Sequence, residues 1–178
     1  MTTTKKTKTT TSKTSVDTRN TSRANRGLDL EDIVKDQCEQ YKREGKGYIF
    51  KLPTEWQVQR RGKFIVSAFP KAKSLTDFFG TLCTSEAIAI EVKNTNNKTS
   101  FPLGNIKDHQ FVFLAEWAKH TKHSYYIIRF KEHDEIYLVH STKVQNFKDT
   151  ETRKSIPYAW FKENAMLLNG CDFLEKIL

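Results

Sequence analysis

Residues 88–93 read Ile-Ala-Ile-Glu-Val-Lys, a run rich in β-branched residues that ends in an acid and a base. Such a run predicts a β-strand. Successive side chains of a strand point to opposite faces, so Ile88, Ile90 and Val92 share one face. Glu91 and Lys93 share the other face, about 6–7 Å apart. The run therefore predicts a buried strand that holds a carboxylate beside an ammonium group.

A second carboxylate precedes this strand, in Lys-Ser-Leu-Thr-Asp at residues 73–77. Phosphodiester hydrolysis uses a divalent cation, which carboxylates can bind, and a cationic group beside the attacking water. Asp77 and Glu91 fit the first need, and Lys93 fits the second. Alone, a Glu-x-Lys pair on a strand is more often a solvated face, and an Asp before aromatic residues is more often a turn residue. Together the three residues favour the metal site of a nuclease.

The end of this strand and the segment that follows it have a distinctive sequence. Residues 91–103 read Glu-Val-Lys-Asn-Thr-Asn-Asn-Lys-Thr-Ser-Phe-Pro-Leu, and His109-Gln110 follow at the start of a predicted helix. This run resembles the RecU family of Holliday junction resolvases, which are dimeric members of the PD-(D/E)xK nuclease superfamily. The resemblance extends from Arg26 to the C-terminus. It implies an α/β fold of the restriction-endonuclease type, with a mixed central β-sheet flanked by helices and a protruding β-hairpin stalk.

The resemblance assigns roles to the residues around the strand. Asp77 and Glu91 would bind Mg²⁺, or Mn²⁺ in its place, together with the backbone carbonyl of Val92. Lys93 would position or deprotonate the attacking water. Gln110 would lie beside that water or the scissile phosphate, where a neutral amide can orient water without repelling an anion.

The residues around Asp77 depart from the family pattern. The family more often has Ser-Thr-x-Asp-Tyr, whereas residues 74–78 here read Ser-Leu-Thr-Asp-Phe. Because Leu75 and Phe78 replace polar neighbours, we expect a supporting hydrogen bond to be absent there and the metal to bind more weakly. Thr76 is retained, and we expect it to contact a DNA phosphate.

The first predicted helix also resembles the family. Residues 25–27 read Asn-Arg-Gly, and Leu30-Glu31 follow at the start of an apolar pattern of helical spacing that continues to Tyr41. The family has a similar Arg-Gly…Leu-Glu signature, which implies that Glu31 lies near the metal site and Arg26 near a DNA phosphate. Without the resemblance, Glu31 is a first-turn acid that the helix dipole favours.

A β-hairpin is predicted between the first helix and Asp77. Two strand-like runs at residues 55–69 flank the basic turn Arg60-Arg61-Gly62-Lys63. From the residues alone, this is a solvated hairpin with a charged tip, which helps to keep a sheet edge soluble. By resemblance it is a stalk at about 55–73 that enters the centre of the junction, with Arg60, Arg61 and Lys63 on the DNA. It is several residues shorter than the family's stalk, so we expect weaker selectivity for structure.

Charge and composition predict a polyanionic partner. With 30 Lys and Arg against 21 Asp and Glu, the chain has a formal net charge of +9, which favours nucleic acid first and an anionic membrane second. Residues 1–25 are rich in Thr and Lys and cannot bury enough apolar surface to fold, so we predict a disordered basic tail. Its cations, Arg23 among them, suit either an arm that neutralises phosphates or a tail that only confers solubility.

Other patterns exclude several classes of protein. No apolar run approaches the roughly 18–20 residues of a transmembrane helix, and no apolar secretory segment is present, so we expect a cytoplasmic protein. The three cysteines lack CxxC spacing, which argues against a disulfide framework. The five histidines lack zinc-binding spacing. A chain of 178 residues suits one domain, which we place at 26–178.

The predicted function is a metal-dependent endonuclease that resolves four-way DNA junctions by paired symmetric nicks. Two alternatives stay open: a nuclease of the same fold that cuts other branched DNA such as flaps, and a non-catalytic DNA-binding protein that modulates a recombinase. The intact set of site residues favours an enzyme. The host would be a bacterium or its phage.

The resemblance also implies partners. A homodimer presents two identical sites to a junction, and a strand-exchange recombinase and a branch-migration helicase are further expected partners. The apolar residues near the C-terminus are candidates for a dimer surface, although core packing is their commoner role. These candidates are Trp160, Phe161, Leu167 and Leu168.

Overall fold

The computed structural model describes residues 29–53, 56–70 and 74–178. The predicted tail at 1–25, which includes Arg23, and Arg26 lie outside these residues. The described residues form four α-helices and ten β-strands. The helices are α1 (Leu30–Arg43), α2 (Asp108–Trp117), α3 (Ser141–Thr150) and α4 (Tyr158–Asn164). The strands are β1 (Gly47–Lys51), β2 (Trp56–Arg61), β3 (Phe64–Pro70), β4 (Phe78–Leu82), β5 (Ala87–Thr95), β6 (Ser100–Pro102), β7 (His123–Phe130), β8 (Glu135–His140), β9 (Ser155–Pro157) and β10 (Met166–Leu167).

A mixed β-sheet forms the centre of the fold. In the described part of the chain, six strands pair in the order β1-β4-β5-β7-β8-β10. β5 and β7 run parallel, and the other neighbours run antiparallel. Every residue of β7 is buried, as expected for a strand covered on both faces. The predicted α/β fold with a mixed central sheet flanked by helices is therefore confirmed.

Each face of the sheet has its own hydrophobic core. Leu30 and Val34 of α1 pack on one face against Ile88 and Ile90 of β5. The other core contains Ala89 of the same strand and is rich in aromatic side chains from β7, β8, α2, α3 and α4. The alternation predicted for β5 is thus present, since its isoleucines face α1 and Ala89, on the opposite face, is directed toward α2.

β1 lies unusually close to β4 because residue 80 is a glycine. A Cβ atom at Gly80 would sit 2.1 Å from the carbonyl oxygen of Tyr48 and 2.5 Å from the Cα atom of Ile49. No side chain fits in that space. The pairing places Lys51, the last residue of β1, opposite Phe78, and so brings the end of β1 next to the segment that precedes β4.

β2 and β3 form the predicted hairpin. Among the described residues, they pair with each other and with no strand of the six-stranded sheet. Gly62 in the turn has a φ of +62°, a left-handed conformation that favours glycine. Pairing shifts by a bulge between Gln59 and Arg60. Beside the tip, the apolar residues 64–66 are more than half exposed.

The C-terminal part differs from its prediction. Helix α3 was not predicted, because it has just two apolar residues, Val144 and Phe147, which are too few to define a helical period. The sequence predicts a helix that follows Ser155-Ile156-Pro157-Tyr158 and runs to about Leu168, but α4 ends at Asn164. Residues 166–167 pair with β8 instead and extend the sheet.

Two of the candidates for a dimer surface are core residues. Phe161 and Leu168 are buried in the two cores. Leu167 is 51% exposed, and Trp160 is partly buried against the aromatic core. Core packing is thus the role of half of this set.

Two further expectations concern cysteines and membrane helices. Cys38, Cys83 and Cys171 are all free, and the first and third are buried, so no disulfide framework is present. In the described ranges, no helix is long and apolar enough to cross a membrane.

Candidate active site

The end of β5 carries a fully buried carboxylate. Glu91 has an exposed fraction of 0%, and its Oε1 accepts hydrogen bonds from the Lys93 ammonium and from the Gln110 side-chain amide. Lys93 also forms an ion pair with Glu91, and its side chain is 17% exposed. The structure therefore brings together three of the residues selected from the sequence, with the ammonium between the buried acid and the surface.

Asp77 reaches the same place from the segment before β4. Its Oδ2 accepts a hydrogen bond of 2.8 Å from the backbone N–H of Val92, and its carbonyl accepts one of 2.8 Å from Leu52. β4 begins at Phe78, opposite Ile90, so beyond Ile90 this edge of β5 faces Asp77. The N–H and C=O of one strand residue point to the same side. The Val92 carbonyl is therefore directed toward Asp77 as well.

The electrostatics of Glu91 fit a bound cation. Burial raises the pKa of its carboxyl to about 8, the Asp77 charge adds to the rise, and the Lys93 ammonium opposes it. Glu91 Oε2 is buried and has no hydrogen-bond partner among the described residues. A buried carboxylate oxygen without a partner is costly, and two close carboxylates repel each other. A divalent cation would satisfy the oxygen and remove the repulsion, so the residues fit a metal.

The donors around this oxygen suit a hard cation. In the ranges that the structure describes, no three His, Cys, Asp or Glu side chains come together as a metal cluster. The predicted set has two carboxylates, Asp77 and Glu91, and one carbonyl, that of Val92. Mg²⁺ commonly binds through one or two carboxylates and keeps several waters. This set of oxygen donors is therefore sufficient to bind Mg²⁺, and it does not resemble a zinc site.

Gln110 connects the start of α2 to the buried acid. The sequence at the start of α2 predicts Asp108 as the N-cap, but Lys107 is the N-cap and Asp108 is the first helical residue. The Gln110 side-chain oxygen accepts a hydrogen bond of 2.9 Å from the Lys107 backbone N–H, and its amide donates to Glu91. With 8% exposure, Gln110 is a buried bridge and not an exposed helix-start residue.

Comparison with known proteins agrees with this geometry. The family model described as "Recombination protein U" (RecU) matches residues 25–174. The chain belongs to the RecU family. It is 34% identical over 154 residues to the Holliday junction resolvase RecU of Oceanobacillus iheyensis, covering 82% of this chain and 78% of that protein. The RecU of Bacillus cytotoxicus is 32% identical over 162 residues, with 86% and 80% covered, and that of Geobacillus sp. strain WCH70 is 34% identical over 142 residues, with 75% and 70% covered.

The predicted resemblance to RecU is therefore confirmed, and it spans every residue of the cluster around Glu91. Membership in this family makes the chain a nuclease that uses a divalent metal ion. The oxygen without a partner on Glu91 is the feature of this RecU chain that agrees with such chemistry.

Glu31 lies at the side of the RecU site and is paired with a lysine. Its carboxylate is 2.5 Å from Lys51 Nζ, and its side chain is about one-third exposed. The bond to Glu31 raises the pKa of Lys51, and the charge of Asp77 contributes in the same direction. Sequence reasoning did not select Lys51, because a lysine at the end of a strand has no local pattern that distinguishes it.

The N-terminus of α1 is also tied to β5. Asp29, the N-cap of α1, accepts a hydrogen bond of 3.4 Å from the Asn94 side-chain amide. Asn94 follows Lys93 directly. This contact and the Glu31–Lys51 pair place the first turn of α1 next to the site, which agrees with the position that the RecU resemblance implies for Glu31.

Thr76 has a structural place in this arrangement. Its side chain is fully buried, and its hydroxyl donates a hydrogen bond of 2.8 Å to the carbonyl of Ile90. A phosphate contact through this hydroxyl needs the side chain at the surface, where the structure does not place it. The hydrogen bond instead fixes the segment before β4 against β5, which positions the neighbouring Asp77.

Three of the cations selected for DNA binding lie on the β2–β3 hairpin, which pairs with no strand of the six-stranded sheet in the described part of the chain. Arg60, Arg61 and Lys63 are exposed at the tip of the β2–β3 hairpin. Arg23 and Arg26 lie outside the described residues, so their predicted contacts stay predictions. The described part of the RecU chain thus has an acidic site on β5 and a basic tip on the β2–β3 hairpin.

Proposed function

We propose that this protein is a Mg²⁺-dependent endodeoxyribonuclease that resolves four-way DNA junctions by paired symmetric nicks during recombination and repair. The observation that carries the proposal is the buried Glu91, whose Oε2 lacks a partner among the described residues beside Asp77, Lys93 and Gln110. The substrate comes from the relatives, which are named Holliday junction resolvases.

The roles of the residues follow from their contacts. Asp77, Glu91 and the carbonyl of Val92 would hold the metal, with Mg²⁺ expected and Mn²⁺ able to replace it. When bound, the cation neutralises charge on the scissile phosphate and favours ionisation of a nearby water. Lys93 is held by Glu91 at the edge of the buried site, where it positions the attacking water or takes its proton. Gln110 fixes the Glu91 carboxylate.

The remaining residues of the site surround the metal-binding carboxylates. Glu31 holds the Lys51 side chain next to Asp77, so the Lys51 ammonium group stays beside the carboxylates. DNA would be held by the hairpin tip and by the chain before α1. These contacts would come from Arg60, Arg61, Lys63, Arg23 and Arg26.

The paired nicks require two sites, so we propose a homodimer. A closed two-fold arrangement presents two identical sites to two opposite strands of the junction. We further propose that the protein acts in the cytoplasm of a bacterial cell, uninfected or infected by phage, because the substrate is there. A strand-exchange recombinase and a branch-migration helicase are the proposed protein partners.

A second candidate is a related nuclease that cuts other branched DNA. The compact β2–β3 hairpin, with a turn at Gly62-Lys63, favours it, since a short hairpin reaches less far into a junction. A non-catalytic binding protein is less well supported, because the Lys93 ammonium and the Gln110 amide both contact Glu91, and Asp77 is held at the neighbouring Val92.

Substrate comparison tests these candidates. Purified protein would be incubated with a labelled four-way junction, a linear duplex of the same sequence and a flap, with Mg²⁺ or with EDTA. We expect symmetric nicks in the junction alone, in Mg²⁺ alone, and none with Glu91→Gln. Preferential cutting of the flap would support the second candidate. Tight junction binding without metal-dependent cutting would contradict both nuclease functions.

A further inference from the structure

A cleft lies between the start of α2 and the end of α3, beside the candidate active site. The volume of this α2–α3 cleft is about 380 Å³, and the buried side chains of Ile106 and Phe111 are part of its lining. Phe111 directly follows Gln110, which donates a hydrogen bond to Glu91. Successive residues of a helix are rotated by about 100°. The cleft and the catalytic carboxylate therefore lie on adjacent sides of α2.

Lys148 of α3 places an ammonium group in this cleft. Its Nζ lies 3.9 Å from the centroid of the Phe111 ring, a cation–π contact that fixes its position. Asp108 Oδ1 lies 3.8 Å from the same nitrogen, but the Asp108 side chain is 99% exposed, so water weakens this ion pair. A DNA base would have to displace the ammonium group to stack on Phe111. The cleft thus suits an anion better than a base.

Two further cations line the α2–α3 cleft just after α3. Arg153 and Lys154 are both exposed, and among the described residues neither is paired with an acid. The acids Asp108 and Glu151 also line the cleft. With Lys148, the cations outnumber the acids by three to two. An excess of exposed cations is typical of a surface that binds nucleic acid.

Both sides of the cleft are attached to the strand that carries the catalytic residues. The Lys154 carbonyl accepts a hydrogen bond of 3.0 Å from the backbone N–H of Leu103, and β6, the next strand after β5, pairs with β9. The Phe111 ring centroid lies 6.3 Å from that of Tyr126, which is the neighbour of Glu91 in the parallel pair of strands. These contacts fix the spacing between the cleft and the carboxylate.

We propose that the α2–α3 cleft binds backbone phosphates of the DNA strand that is cut, through Lys148, Arg153 and Lys154. This inference rests on the proposed function, to which it adds a further contact with the substrate. An α-helix is about 10 Å wide, and one strand carries a phosphate about every 3.4 Å along the duplex axis. The bound phosphates therefore lie about two to four nucleotides from the nick.

A variant without the three cations tests the cleft. Lys148→Gln/Arg153→Gln/Lys154→Gln, the cleft variant, would be compared with wild type in junction-binding titrations at several salt concentrations. EDTA would be present so that no strand is cut. We expect the slope of log affinity against log salt to fall by about two to three, since each phosphate contact contributes about 0.9.

Two more variants control for net charge and for folding. Lys119→Gln/Lys122→Gln/Lys176→Gln, the charge control, removes the same charge from exposed positions outside the cleft and should keep the wild-type slope. Arg153→Gln/Lys154→Gln leaves the cation–π contact with Phe111 in place and should lower the slope by about one to two. Circular dichroism checks that each variant is folded.

Uncharged phosphates locate the contact on the DNA. A methylphosphonate would replace each phosphate in turn within about six nucleotides of the branch point. At one or more positions, we expect this replacement to weaken wild-type binding at least about threefold and to leave binding by the cleft variant unchanged, because both changes remove the same contact. These positions should lie about two to four nucleotides from the nick that wild type makes in Mg²⁺.

The outcomes separate the cleft from the proposed function, because binding is measured without metal. Equal slopes in the cleft variant and wild type would overturn the proposal, as would an equal loss of slope in the charge control. Methylphosphonates that weaken wild type and the cleft variant alike at every position would overturn it as well, and normal cutting of the junction would then retain the function alone. Position-specific coupling in a protein that cuts nothing in Mg²⁺ would retain the cleft and reject the function.

Discussion

Glu91 is held by neighbours with opposing effects on its charge. Burial and the Asp77 carboxylate raise its pKa, while Lys93 lowers it, and Gln110 fixes the orientation of one oxygen so that the other has no partner among the described residues. Burial of a carboxylate in this setting stabilises the folded protein less than a hydrophobic residue of similar size would. Such a cost is typical of functional sites, where binding of a ligand offsets it.

Removal of the Gln110 amide tests its positioning role. In Gln110→Ala, Glu91 loses the bond that orients it, so we expect cleavage at low Mg²⁺ to fall about 10–100-fold and to recover partly at high Mg²⁺. A Mg²⁺ titration of the cleavage rate measures this shift. Gln145→Ala, on the exposed face of α3, is the control. An unchanged Mg²⁺ midpoint in Gln110→Ala would remove the residue from the site.

The Thr76 hydroxyl gives a second prediction at this scale. Thr76→Val keeps the shape but leaves the Ile90 carbonyl without its buried donor, so we expect the free energy of unfolding to fall by about 1–3 kcal/mol. Urea denaturation measures the loss, and Thr76→Ser should retain most of the stability. Junction affinity at low temperature should not change. A selective loss of affinity with normal stability would restore the phosphate contact that the sequence predicted.

Among the elements, the β2–β3 hairpin carries the most specific prediction. Replacing Arg60, Arg61 and Lys63 by Ala should weaken junction binding and reduce the slope of log affinity against log salt by about two to three, since each phosphate contact contributes about 0.9. Binding titrations at several salt concentrations measure the slope. Gln57→Ala on the same hairpin and Lys119→Ala on the body are the controls. Equal slopes in the triple variant and wild type would exclude the hairpin from DNA binding.

The elements also explain which parts of the fold could be predicted. The face alternation of β5 and the helical period of α1 are local patterns, and both are present as predicted. Helix α3 has a weak period, and β10 is a two-residue strand, so neither has a clear local signal. The pairs Glu31–Lys51 and Asp29–Asn94 join residues that are distant in sequence. No spacing rule predicts them, because they depend on how α1 packs on the sheet.

At the scale of the whole molecule, the net positive charge of the chain contrasts with the two carboxylates of the candidate active site. The chain has a net charge of +9, yet the centre around Glu91 contains two carboxylates within a mostly apolar sheet. In the proposed function, the basic surface would supply affinity for DNA through counterion release, while the buried acids would hold the metal. The carboxylates were predicted from the sequence because the Glu-x-Lys pattern is local. Their buried setting, which fits a bound cation, was visible in the structure alone.

Anomalous diffraction from crystals soaked in Mn²⁺ tests whether Asp77 and Glu91 bind the catalytic metal. We predict one strong anomalous peak within about 2.0–2.3 Å of an Asp77 oxygen, Glu91 Oε2 and the Val92 carbonyl, and no peak there in Glu91→Gln crystals soaked in parallel. A peak at other residues with no peak here, or an unchanged peak in the variant, would show that Asp77 and Glu91 do not bind the metal.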